Sequence, residues 1–393
     1  MKEKARPHTY SILIVITGCG GGDWPPLLAL AVGLRRAGHS LRVVCDNSTV
    51  EAVKAVGLTP LCLPQSHDLA NLFEPAIARL LSGQEIMSAG GDSPFVNWAR
   101  SCVDLIVRSL QGWQPALVIT SLFGLELGEM LARRFLVLRC FLNPSFYFSE
   151  SEEEIWSRDF SEIGGQMYRR WLLPQAKSAN LVLHATDRTF DFCTDHPSSH
   201  HKYVGPMFWE MAGNGLHMLQ KPGPPWVLIT LSTSPQPRDL TIVKTALESL
   251  EPIDVRVMVT LAPGHDQSAL GRIPDNAHVA GYIPHSKVLP HCCLVISHAG
   301  HGIVMKAMKY GVPMVLVPWG RDQPGVAMRA ERLGTATVVA RESCCVETLS
   351  EAISEVMNNP GYREQSRLAS MRLRNIDGVA DGVEQVQLFM DKS

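Results

Sequence analysis

Apolar positions along this chain fall into two registers, and their alternation predicts most of the architecture. Short β-branched runs with no polar alternation, of the kind buried on both faces of a parallel sheet, end in clusters of glycine or hydroxyl residues. The first is Ser11–Thr17 (SILIVIT), which runs into glycines. Pro26–Ala37 (PLLALAVGLRRA) then reads as a helix stopped by Gly38. Leu41–Cys45 reads as a second strand, and Glu51–Val56 as a short helix closed by Gly57. Ala116–Thr120 and Leu136–Phe141 read as later strands, and Leu181–His184 closes this half. Strands alternating with helices imply a parallel sheet covered on both faces.

Between Gly205 and Pro225 the pattern breaks: GPMFWEMAGNGLHMLQKPGPP is rich in Gly and Pro and has no periodicity. Residues 208–225 are therefore read as a linker. The strand–helix pattern then restarts. Trp226–Leu231, Val255–Thr260, His278–Ala280, Leu294–Ser297, Met314–Val317 and Thr335–Val339 read as strands. Helices fit at Thr241–Leu250, Gly302–Tyr310, Gln323–Leu333 and Val346–Met357, and the pattern stays helical and charged from about Tyr362. The expected organisation is α/β in two Rossmann-like domains, residues 1–207 and 226–375, with a ligand cleft between them. Residues 376–393 are expected to form a helix that packs back, with the N-terminal domain as its expected seat.

Composition narrows the function. A chain of 393 residues exceeds one ordinary core, which agrees with two domains. The net charge of −2 carries no footprint for nucleic acid. Ten cysteines show neither C-x-x-C pairs nor zinc-ligand spacing, and are read as reduced thiols of a cytoplasmic protein. The polar start MKEKARPHTY is no signal peptide, and no apolar run is long enough to span a bilayer, which leaves peripheral membrane contact open.

The strongest chemistry lies in Gly281–Gly334. Gly281-Tyr282-Ile283-Pro284-His285 leads to a strand that ends in Ser297-His298-Ala299-Gly300-His301-Gly302 and opens a helix. Tyr310-Gly-Val-Pro313, Pro318-Trp319 and Asp322-Gln323-Pro324 follow. A glycine-rich turn from strand to helix is an anion site, because backbone can approach a phosphate and free N–H groups point at it.

These pieces, in this order and spacing, resemble the nucleotide-sugar signature of the GT-B, family 1 glycosyltransferases. That signature runs aromatic-x-Pro-Gln, His-Gly-Gly-x-Gly-Thr, Gly-Val-Pro and Asp-Gln. The resemblance covers the whole chain loosely and Gly281–Gly334 strongly, and it implies a GT-B fold with the donor held by the second domain. Carried over, Tyr282 would stack on the nucleotide base and the Ile283 backbone would meet its edge. His298 would bind the diphosphate with Gly300, His301 and Gly302. Trp319, Asp322 and Gln323 would line the sugar, and Ser232 and Thr233 would reach the phosphates. Each has a plainer reading: Tyr282 closing a core, His298 structural, Asp322 and Gln323 in a surface loop, Ser232 and Thr233 capping a turn. Two departures from the signature matter for donor binding: Ile303 stands for Thr, and His285 for Gln. Losing a hydroxyl to phosphate costs about 1 kcal/mol of donor binding.

The amino-terminal turn supplies the other half of the reaction. Sugar transfer needs a base near the acceptor hydroxyl. Many family members carry His three residues before the proline of this turn, and the glycopeptide- and sterol-like branch carries Asp. Asp23 holds that place, and burial would raise its pKa and make it a stronger base. The competing reading is an N-cap for the following helix. In the His branch a second Asp orients the histidine. Ser121 stands at that place here, and an aspartate base is expected to need no such partner.

Trp24, Trp98 and Phe146, with other aromatics of the first domain, are candidates for an apolar acceptor pocket or for core. Asp195, His196, His200 and His201 lack a fourth spaced ligand and read as surface loop. Gly18-x-Gly20 with Asp46 imitates a dinucleotide fingerprint, but Asp23 replaces its third glycine and would repel a pyrophosphate. No Asp-x-Asp occurs, so no metal is expected. The resemblance implies a metal-independent, inverting hexosyltransferase. It would use no cofactor beyond a UDP- or dTDP-sugar co-substrate and act on a small, hydrophobic acceptor such as a natural product, sterol or carotenoid-like lipid. The rival is a nucleotide-sugar-binding protein of the same fold that has lost turnover.

Overall fold

The computed structural model describes residues 8–18, 21–69, 71, 94–143, 178–191, 199–213, 217–231, 240–261, 265–320 and 322–393. Strand β1 (Ser11–Ile16) shows why its sequence has no polar alternation. Ile12, Ile14 and Ile16 enter one core, whereas Leu13 and Val15 enter another on the opposite face of the sheet. A strand covered on both sides needs apolar residues at odd and even positions alike. Strand β8 (Trp226–Thr230) repeats this in the second half: Trp226 and Leu228 join one core, Val227 and Ile229 the other.

Around β1 stand β2 (Ser40–Cys45), β3 (Pro60–Cys62), β4 (Leu117–Thr120), β5 (Leu138–Asn143), β6 (Leu181–His184) and β7 (His201–Tyr203). They form a sheet of order β3-β2-β1-β4-β5-β6-β7, parallel at every pairing. Around β8 stand β9 (Arg256–Thr260), β10 (Ala277–Ala280), β11 (Cys292–Ser297), β12 (Met314–Leu316) and β13 (Ala336–Val338). Their order is β10-β9-β8-β11-β12-β13, again parallel throughout. In each sheet the order reverses at the first strand, and ligand crevices of open α/β sheets form outside the carboxyl ends at such points.

The first half carries helices α1 (Trp24–Arg36), α2 (Val50–Ala55), α3 (Pro94–Ser109) and α4 (Leu125–Phe135). Helix α1 begins two residues before the expected Pro26, since Pro25 and Pro26 fit a first turn whose N–H groups have no helical partner. Strands β3 and β7 and helices α3 and α4 were not read from the sequence. Leu136, expected to open a strand, instead ends α4 at φ 55, and β5 starts at Leu138. A helix whose last residue is apolar is easily mistaken for the start of the strand that follows it.

The second half carries α5 (Thr241–Leu250), α6 (His301–Tyr310), α7 (Gln323–Arg332), α8 (Val346–Asn358), α9 (Pro360–Leu373) and α10 (Gly378–Met390). Helix α10 crosses back onto α1, with Val386 and Met390 in the first domain's core. Gly33 permits this approach, because a Cβ there would lie 2.6 Å from Val379 Cγ1. Beyond the helix, the Tyr10 hydroxyl donates to Asp391 at 2.5 Å.

The segment after β6 fastens the two halves together. Thr186 hydrogen-bonds His301 at 3.0 Å, and Arg372 donates to Asp187 at 2.7 Å. Asp191 pairs with Arg329 at 3.4 Å and accepts from the Tyr203 hydroxyl at 2.6 Å. Among the described residues, no helix is long and apolar enough to cross a membrane.

Candidate active site

Asp23 follows β1 and Ser121 follows β4, the two strands that flank the reversal of the first sheet. Because Val15 pairs with Thr120, residues 98 positions apart in sequence meet at one carboxyl edge. Ser121 Oγ donates to Asp23 Oδ2 at 2.5 Å, and the N–H groups of Leu122 and Phe123 approach the same carboxylate at 3.3 and 3.5 Å. Asp23 is 4% exposed and Ser121 1%. Asp23 occupies the N-cap position of α1 but makes no capping bond with its side chain. The carboxylate is turned toward Ser121, so the N-cap reading does not account for it. Nor does Asp23 stand alone, as had been expected: a hydroxyl orients it where the His branch uses a carboxylate.

Burial raises the pKa of Asp23 to about 6, opposed by the bonds from Ser121, Phe123 and Leu122. The negative charge of Asp322, from the second domain, adds to the rise. An acid that titrates near 6 is ionised at neutral pH and a far stronger base than a free aspartate.

Asp46, the carboxylate that imitated a dinucleotide fingerprint, is engaged within the fold. It accepts from the Gly18 N–H at 2.7 Å, Ser48 Oγ at 2.6 Å and Thr49 Oγ1 at 2.9 Å, so it ties the β1 turn to the start of α2.

In the second domain the glycine-rich turn joins β11 to α6, with Gly300 as the N-cap residue. Ala299, where the family pattern has glycine, lies at φ 64, a conformation that favours glycine. Its N–H donates to Ser297 Oγ at 3.2 Å. His298 is buried. A Cβ on Gly300 would come within 2.6 Å of His298 Nε2, so the ring needs a glycine two residues on. Gly302 has open space where its side chain would be. The His301 ring is committed to Thr186, and burial lowers its pKa to about 3, which leaves its backbone N–H as the group to offer an anion.

Tyr282 is 45% exposed, which suits a stacking platform better than a core residue, and its hydroxyl donates to the Met211 carbonyl at 3.4 Å. Ile283 is buried beside it. His285 turns inward to Thr260 Oγ1 at 3.2 Å and Thr230 Oγ1 at 3.4 Å, where burial holds its pKa near 4. Asp322 is the N-cap residue of α7 without a capping bond from its side chain. Gln323 is buried, and its Oε1 accepts from the N–H groups of Trp319 at 2.9 Å and Gly320 at 3.2 Å. That end of Gln323 therefore shapes the loop. Trp319 lies under the Arg341 guanidinium, 5.0 Å from ring centroid to Cζ.

Among the aromatics proposed for the acceptor, Trp98 is core: it packs with α3 and α4, and its Nε1 donates to the His67 carbonyl at 2.7 Å. Trp24 meets Trp209 of the linker, with ring centroids 5.2 Å apart. Phe146, Ser232, Thr233, Asp195 and His196 lie outside the described residues. His201 belongs to β7, not to a loop, and pairs with His184 at 2.9 Å, with Asn143 on the far nitrogen of His184 at 3.1 Å.

Residues 244–376 match the family model described as Erythromycin biosynthesis protein CIII-like, C-terminal domain. The Uncharacterized UDP-glucosyltransferase YojK of Bacillus subtilis (strain 168) is 26% identical over 207 residues, a match covering 53% of this chain and 51% of that protein. The chain thus spans about half the length of the first curated relatives it matches. The L-demethylnoviosyl transferase of Streptomyces niveus is 25% identical, with 90% of this chain and 92% of that protein covered. Among solved structures, the calicheamicin glycosyltransferase CalG4 superposes with a TM-score of 0.77 at 19% identity, covering 98% of this chain and 99% of that one. The overall fold is therefore GT-B.

Proposed function

We propose that this chain, a GT-B protein whose second half carries the erythromycin CIII-like domain, transfers a hexose from a UDP- or dTDP-sugar to a hydroxyl of a small, hydrophobic acceptor. The observation that carries the reading is the Asp23 carboxylate, buried at the reversal of the first sheet and close enough to Asp322 of the signature loop for their charges to interact. In this reading Asp23 is the base and the loop of Asp322 belongs to the donor site. The relatives support the class: one is named a UDP-glucosyltransferase and another a demethylnoviosyl transferase.

In this mechanism Asp23 accepts the proton of the acceptor hydroxyl as that oxygen attacks the anomeric carbon from the first domain's side. The bond from the anomeric carbon to the β-phosphate oxygen breaks, the configuration inverts, and the nucleoside diphosphate leaves. The start of α6 meets the growing negative charge with backbone N–H groups and the positive end of the helix dipole, beside His298. The reading gives leaving-group stabilisation to these groups and none to a metal.

A thermal-shift series with UDP, dTDP, GDP, ADP and NADH, run in EDTA, tests the donor site. A rise with UDP or dTDP alone is expected; a response only to NADH would end the glycosyltransferase reading. Asp23→Asn is then expected to keep nucleotide affinity and lose about 10²–10⁴-fold in transfer. Wild-type transfer by that variant would remove Asp23 from the role of base.

A further inference from the structure

The linker is more than a tether. Where the chain leaves the first domain, at Met207–Trp209, successive side chains enter different cores. Met207 and Trp209 pack with the first domain's core, and Phe208 with the second domain's. Glu210 then turns to the second domain and does three things there. Its Oε1 accepts from the His285 N–H at 3.0 Å, its Oε2 from the Ser286 N–H at 3.3 Å, and Oε1 also pairs with Lys306 Nζ at 2.6 Å. Both members of that ion pair are largely buried, at 15% and 16% exposure. One residue on, the Met211 carbonyl receives the Tyr282 hydroxyl. Gly213 lies against Pro284, where a Cβ would come within 2.7 Å of the ring.

The loop from Tyr282 to Ser286 is therefore held from outside its own domain's sheet, by a linker residue 75 positions earlier in the chain. The same carboxylate grips Lys306 on α6, the helix that starts at the glycine-rich turn. On its other side the linker reaches the first domain through Trp209, which packs on Trp24, the neighbour of Asp23.

We infer that Glu210 is a positioning residue for the nucleotide: it sets the loop of Tyr282 against α6, and thereby joins the interdomain linker to the donor site. This rests on the assignment of that loop to the nucleotide base. A carboxylate suits the task because it accepts from two backbone N–H groups and an ammonium at once, and charge-assisted bonds are the strong ones. Removing it leaves an ammonium and two amides competing for water at the base of the loop. Tyr282 loses its fixed distance from the helix start, although neither Tyr282 nor the phosphate turn has changed.

The test is isothermal titration of UDP and dTDP into the full-length wild type, Glu210→Ala and Glu210→Gln, alongside the melting temperature of each free protein. Glu210→Ala is expected to weaken the nucleotide about tenfold, and Glu210→Gln, which keeps an acceptor oxygen but no charge, about threefold. The donor KM should rise in parallel with kcat held within about twofold, because the loop binds the nucleotide and not the reacting atoms. If wild type binds and Glu210→Ala and Glu210→Gln bind equally well, Glu210 merely fastens the linker and the inference fails. If wild type binds neither nucleotide, the donor-site assignment fails and takes the inference with it. Glu210→Gln decides the matter should Glu210→Ala not fold.

Discussion

Replacing Ser121 with alanine isolates what the fold does to Asp23. The serine is 1% exposed, and its hydroxyl is the nearest donor to a carboxylate that is itself buried. The two backbone N–H groups that remain approach at 3.3 and 3.5 Å, long for hydrogen bonds to a charge. A bond to an ionised group is worth about 1.5–3 kcal/mol, and a neutral acid keeps part of it, so the ionised form should lose about 1.4 kcal/mol more than the neutral one. That is about one pH unit. The acid limb of kcat/KM, expected near the Asp23 pKa of about 6, should move to about 7. At pH 6 the ionised fraction falls from about one half to about one in eleven, a loss of about fivefold, whereas at pH 8 the loss is about a tenth.

Stability gives an independent reading with a fixed sign. Burial raises the folded pKa of Asp23 above that of the unfolded chain, so its contribution is fully present below about pH 4 and is lost as pH rises through about 6. Ser121→Ala deepens that loss, and the variant should be about 1.4 kcal/mol worse off relative to wild type at pH 8 than at pH 5. In melting temperature this is an extra gap of about 4 °C. A limb that stays near 6 while activity drops equally at every pH would refute the reasoning, because Ser121 would then act on shape and not on the charge of Asp23.

Two other substitutions probe the donor side and the joint. Gly300→Ala keeps an ordinary extended backbone, with φ −62 and ψ 137, yet its Cβ would press on the His298 ring; UDP or dTDP affinity should fall about tenfold by titration, with melting changed by no more than about 2 °C. Asp191→Ala takes a carboxylate away from Arg329, which is 1% exposed, and should cost about 3 kcal/mol in chemical unfolding; pairing Asp191→Leu with Arg329→Met should recover more than half of that.

The α/β class and the glycine-rich turn from strand to helix were legible because they are local. Runs such as Ile12–Ile16 and Val227–Ile229 are apolar at every position for one reason, two covered faces, and a single sequence displays that directly. The turn from Ser297 to Gly302 carries its glycines in order, and Gly300 is needed by a ring only two residues away. Asp23 could be picked out on its spacing from Pro26, but not whether its carboxylate turns to cap the helix or to meet Ser121. That choice was made by the pairing of β1 with β4, which no window of sequence contains. Helix α4 escaped notice because its apolar end, Phe135 and Leu136, merges with the strand that follows it. His301 stands in the glycine-rich turn, yet its ring is claimed by Thr186 from the other domain. Glu210 had no signal at all, being one acidic residue in a Gly- and Pro-rich linker. Local periodicity and turn chemistry travel along the chain and are written in it. Burial, pKa and the partners of polar groups depend on which distant strands and domains come together, and only the folded molecule decides those.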